Sequence, residues 1–114
     1  MWIMVSGPYG SGARTADARS ANLRALNRAA LGLFRKGHVP VIGVNLALPI
    51  IEVAGADAYD EIMMPLSLAV AERCDACLRI DGPSRGADDE VARFQAAGRP
   101  VYFSLDDVPS VAKP

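Results

Sequence analysis

Four short apolar runs, separated by stretches of helical period, constrain this chain more than any other feature. The runs are Trp2 to Ser6, His38 to Val44, Ala76 to Ile80 and Pro100 to Ser104. Between the first two lies an apolar stripe at Leu23, Leu26, Ala30, Leu33 and Phe34, the spacing of one helix face. That helix starts at a cap supplied by Thr15 or Asp17 and stops at Arg35-Lys36-Gly37, basic residues followed by a terminating glycine. A second helix is capped by Asp57 and runs to about Cys74, with Pro65 kinking it or restarting it. A third follows Asp81-Gly82-Pro83-Ser84 and ends near Gly98. The segment from Asn45 to Ala56 reads either as a short helix or as a covering loop.

The resulting order is β-α-β-α-β-α-β. Largely apolar strands alternating with helices mean an α/β fold in three layers, an open parallel sheet of four to five strands with helices on both faces. Pro40 has no N–H to give to a ladder, so the second strand belongs at a sheet edge. With 114 residues the chain suits one domain, taken as 1–105, and the polar, proline-containing tail 106–114 is expected to be loosely held.

Composition excludes several classes of function. The formal net charge is −1 with both signs interspersed, which argues against a nucleic acid polymer as partner. No apolar run is long enough to span a membrane. The opening MWIMVSG has no basic flank and reads as a strand, so the expected location is cytoplasmic. Cys74 and Cys77 form a lone C-x-x-C, and His38 is the single histidine, so a four-ligand zinc site is not expected. The cysteine pair sits at a helix end, where no helix amino-terminus lowers a thiol pKa, and reads as structural. His38 and the Met63-Met64 pair read as structural and core residues respectively. No cofactor and no metal is expected.

In an open parallel sheet, ligands sit beyond the carboxyl ends of the strands, where the strand order reverses. Two glycine-containing loops leave strand ends there and lead to helix starts: Gly7 to Thr15 and Asp81 to Asp88. The first contains G-x-x-x-x-G, but Ala13-Arg14 follows where a P-loop needs Lys and then Ser or Thr. It offers backbone N–H groups with Ser6, Tyr9, Ser11 and Arg14. Arg19 and Asn22 lie at the top of the first helix. Arg19 either points into the crevice as a partner for phosphate or carboxylate, or reaches solvent or an acid such as Asp17.

The second loop is the sharper signal. Its helix packs through Val91, Phe94 and Ala97. At about 100° per residue Glu90 lies about 40° from the centre of that stripe, while Asp88 and Asp89 lie more than about 100° away. Glu90 therefore points inward, and Asp88 and Asp89 are solvated acids at a helix start. An inward carboxylate is costly unless it is paired or used. Ser84 caps the helix, or its hydroxyl and the N–H groups after it hold an anion. Asp81 ends the third strand, either to serve a ligand hydroxyl or to form a turn before glycine. Asp60 is a weaker candidate in the first turn of its helix.

Gly7-Pro8-Tyr9 after the first strand, and Ser84-Arg85-Gly86-Ala87-Asp88-Asp89-Glu90 after a later one, resemble the nucleoside 2-deoxyribosyltransferase superfamily. Its pattern is G-P-[FY] and then S-x-G-x-x-x-E. With Arg35-Lys36-Gly37-His38-Val39-Pro40, the chain looks most like the small DUF4406-type branch. The resemblance implies a flavodoxin/Rossmann-like fold and a glutamate nucleophile, Glu90, that attacks the sugar C1′ of a nucleoside or nucleotide. Asp81 would touch the sugar or the leaving base. Gly7, Pro8, Tyr9, Ser11, Arg14, Arg19, Ser84 and Gly86 would hold sugar or phosphate, and Asp60 would lie near the base. It also implies a homodimer or higher homo-oligomer. The competing expectations are a non-catalytic nucleotide-binding module and a purely structural subunit.

Overall fold

The computed structural model describes residues 1–112. Trp2–Ser6 forms strand β1, and its last four residues are buried because strands lie on both sides of it and helices on both faces. Helix α1, Ala16–Arg35, starts where the Thr15 hydroxyl accepts the Ala18 N–H at 3.0 Å. It leads to β2, Val39–Val41. Next come α2, Gly43–Ala54, a 3₁₀ turn at Ala56–Ala58, and α3, Tyr59–Ala71. Strand β3, Ala76–Arg79, helix α4, Arg85–Ala96, and strand β4, Val101–Tyr102, complete the unit.

The four strands are all parallel in the order β2-β1-β3-β4. Pro40 lies on edge strand β2 opposite Ile3, where its missing donor does least harm. From β1 the chain moves one way along the sheet to β2; from β3 it moves the other way to β4. The strand order therefore reverses between β1 and β3, and α1 and α4 fall on opposite faces. Ile3, Val5, Ala76 and Leu78 face Leu26 and Leu33 of α1. Met4 and Cys77 face Val91 and Phe94 of α4 and Ala71 of α3. Phe94 is fully buried with the Arg99 guanidinium 4.4 Å above its ring, and burial of such a side chain contributes about 2–3 kcal/mol. The result is the three-layer, Rossmann/flavodoxin-like α/β arrangement expected.

Several details differ from expectation. Residues 45–56 are mostly helical, and α2 accommodates Pro49 inside it. Two helices rather than one thus separate β2 from β3. Asp57 does not cap α3: the 3₁₀ turn carries the backbone into the helix, and Ala58 N–H bonds Gly55 C=O at 3.0 Å. Pro65 lies within α3. Phe34, placed on the buried stripe of α1, is 47% exposed.

The tail is not loose as far as residue 111. Its carbonyls are taken by polar groups at the end of α1: Lys36 Nζ donates to Leu105 and Val108 C=O, both at 2.8 Å. Val111 N–H donates to Lys36 C=O at 2.7 Å, and Val108 is buried. His38 sits fully buried between Pro109 C=O, 2.6 Å from Nε2, and the Met1 amino group, 3.0 Å from Nδ1. Gly37 has φ +95°, and a Cβ there would stand 2.3 Å from Val111 O, so only glycine lets the tail approach. Among the described residues no helix is long and apolar enough to cross a membrane.

Candidate functional site

At the reversal between β1 and β3, the loops after both strands open onto a cavity of about 500 Å³. Val5 and Leu26 form part of its lining, with Gly7, Tyr9, Gly10 and Ser11 from the first loop. Gly43 and Val44 at the start of α2 contribute, as do Tyr59, Met63, Met64 and Ser67 on α3. Ser84, Gly86, Ala87 and Glu90 line it from the opening turns of α4.

Packing sets the loop positions. A Cβ on Gly7 would stand 2.3 Å from Ile80 Cγ1, so the chain leaves β1 pressed against the end of β3. Pro8 packs against Gly82, which joins the two loops directly. Asn22 Nδ2 donates to Tyr9 C=O at 2.7 Å and ties the first loop to α1. Asn22 thus acts on the backbone of the loop. Ser84 caps α4 by accepting the Ala87 N–H at 3.1 Å, and the same residue lines the cavity.

Glu90 is 8% exposed, on the face of α4 that carries Val91 and Phe94 against the sheet. Burial pushes its carboxyl from the ordinary 4.5 up to about 7. The Ser6 hydroxyl and then the Arg79 guanidinium oppose that displacement, and Asp89 adds to it. Arg79 does not pair with Glu90. Its Nη2 bonds Asp88 Oδ1 at 3.1 Å and Gly82 C=O at 2.9 Å, and its Nη1 donates to Ile80 C=O. Among the described residues Glu90 is the single carboxyl on the cavity wall.

Of the residues singled out in the sequence, Glu90, Ser84, Gly86, Gly7, Tyr9 and Ser11 come together around the cavity. Pro8 supports it from behind. Arg14, Arg19, Asp60 and Asp81 do not line it. Arg14 and Asp81 are exposed, on loop positions whose side chains turn to water. Arg19 and Asp60 lie near Tyr59: burial, then Tyr9 and Asp60, hold the Tyr59 pKa above its ordinary value, and Arg19 opposes them. The cationic grip expected from Arg14 and Arg19 is thus absent from the wall.

Tyr59, Ser67 and Val44 escaped the sequence reading because α2 and its packing against α3 were not legible there. The sequence reads Met63 and Met64 as core residues. Met63 does pack on Ala47 and Ile51, yet both methionines also line the cavity. Cys74 and Cys77 are buried and unbridged. Burial pushes the Cys77 thiol up to about 11 and raises that of Cys74 as well, so neither is a reactive thiolate near neutral pH.

The arrangement offers soft apolar and aromatic walls from Met, Val and Tyr, hydroxyls from Ser84, Ser67 and Ser11, and one carboxyl. Such a lining suits a flat heteroaromatic ring carrying a hydroxylated group placed near Glu90. No family model, no curated protein and no solved structure matches the chain.

Proposed function

We propose that the cavity binds a nucleoside or nucleotide and that Glu90 cleaves its N-glycosidic bond. The observation that carries this reading is the buried Glu90 carboxyl on the wall of a cavity large enough for such a ligand. The Ser84-x-Gly86-x-x-x-Glu90 spacing supports it. A Glu90 oxygen attacks C1′; the C–O bond forms as the C1′–N bond breaks, and its electron pair leaves with the base, which takes a proton from solvent. Water, or a second base, then attacks C1′ and returns the carboxylate. Among the described residues no basic side chain lines the cavity, which favours a nucleoside over its 5′-phosphate.

Attack requires the ionised carboxylate, so kcat/KM rises with pH through about 7. A homo-oligomer belongs to this reading. Leu46, Ile50 and Val53 on α2 are 46%, 49% and 90% exposed, an apolar stripe on the face of α2 turned away from Val44, Ala47 and Ile51.

The test is chromatography of free base after incubation with ribo- and deoxynucleosides and their 5′-monophosphates. The expected result is base release from at least one of them, abolished in Glu90→Gln with the fold intact by circular dichroism. Ligand-induced thermal stabilisation without base release from any of them would mean a binding module instead.

A further inference from the structure

Ser6 lies at the carboxyl end of β1, 1% exposed, one strand position before the loop that opens the cavity. Alternation along β1 puts Met4 and Ser6 on the same face, about 7 Å apart. Met4 packs in the cluster that includes Val91 and Phe94 of α4. Glu90 lies four residues, about 6 Å along the axis, before Phe94 on that helix. Moving up from the Met4–Phe94 contact, the next inward residue on the strand is Ser6 and on the helix is Glu90. The two inward side chains face one another there, and the Ser6 hydroxyl draws the Glu90 pKa down against the larger effect of burial.

Cys77 of β3, fully buried, completes the set. Its Sγ donates to Ser6 Oγ at 3.4 Å. With a donor already directed at its oxygen, the Ser6 hydroxyl has its own proton to give. Glu90, across from it on α4, is an acceptor for that proton.

We propose that Ser6 is a positioning residue for Glu90: its hydroxyl, oriented by the Cys77 S–H, donates to the carboxylate and turns the other carboxylate oxygen toward the cavity. The bond is made without a cation, so it holds the side chain without quenching the charge that attack requires. A buried hydroxyl on a rigid central strand fixes a rotamer better than a loop residue does. The role in attack rests on the glycosidic reading above; the contact itself does not.

The charged and titratable groups around Glu90 are Cys77 and Arg79 on β3 and Asp88 and Asp89 on its own helix, with Tyr9 and Tyr59 on the cavity wall. None of these is altered by Ser6→Ala, so a change in the Glu90 titration reports the hydroxyl.

The experiment is carbon-detected NMR titration of protein labelled at the glutamate side-chain carboxyls, with Glu90→Gln assigning the resonance. Ser6→Ala is expected to raise the Glu90 midpoint by about one pH unit, a tenfold change in proton affinity. Cys77→Ala should raise it less. Ser6→Cys, a weak donor, should fall between wild type and Ser6→Ala, and it carries the test if the alanine variant does not fold. An unchanged or lowered midpoint in the Ser6 variant overturns the proposal. The titration needs no substrate, so its result stands apart from whether any base is released. On any nucleoside that is cleaved, Ser6→Ala should lower kcat about tenfold with KM unchanged, and its acid limb should move up with the titration.

Discussion

Replacing Glu90 by Gln removes an ionisable group whose environment disfavours its charge, and the consequence for stability depends on pH. Below pH 4.5 the carboxyl is protonated folded or unfolded, and wild type and variant should be nearly equal. Between 4.5 and about 7 the folded protein keeps a proton that the unfolded chain has released. Stability therefore falls with rising pH, by about 1.4 kcal/mol per pH unit, and levels off above 7. The displacement from 4.5 to about 7 corresponds in full to about 3 kcal/mol. Gln has no proton to lose and matches Glu in size and shape. Glu90→Gln should therefore be more stable than wild type at pH 8 by up to about 3 kcal/mol, on the order of 10 °C in Tm for a domain of this size. Urea and thermal unfolding of both proteins from pH 4 to 8.5 measure it, and the other carboxylates cancel in the difference. Parallel stability curves, or a variant less stable at pH 8, would refute the claim that this carboxyl is held in a desolvated place.

Three further outcomes follow from the packing. His38→Ala leaves Pro109 C=O without its donor and should cost about 1–3 kcal/mol in urea unfolding, with faster proteolysis of residues 105–111; unchanged proteolysis would count against the clamp. Gly7→Ala drives a methyl into Ile80 and should cost about 1–3 kcal/mol while weakening ligand-induced thermal stabilisation, whereas a neutral result would mean the two loops are not in contact. Cys74 and Cys77 should react with a disulfide reagent only after denaturation, and rapid labelling of the native protein would contradict their burial.

What was legible in the sequence was local or periodic. The stripe Val91–Phe94 placed Glu90 inward because helical geometry fixes angles within one element. Pro40 marked the edge strand because a missing N–H has one consequence wherever it stands. What was not legible depended on contacts between distant segments. Helix α2 has no side-chain cap, carries Pro49 inside it and takes its stability from packing on α3. The tail's polarity pointed to solvent, but Lys36 and His38 hold its backbone carbonyls. Arg14, Arg19, Asp60 and Asp81 sit near the right end of the sheet, and proximity alone does not aim a side chain. Tyr59 and Ser67 reach the cavity through the α2–α3 pairing, which no local pattern announces.

Peptide mapping by mass spectrometry, on protein quenched in acid during incubation with nucleosides, tests the central claim most directly. A pentosyl or deoxypentosyl adduct on the peptide that contains Glu90, absent from Glu90→Gln, is the predicted result. Saturating nucleosides that leave that peptide unmodified and release no base would show that this carboxylate is not a nucleophile.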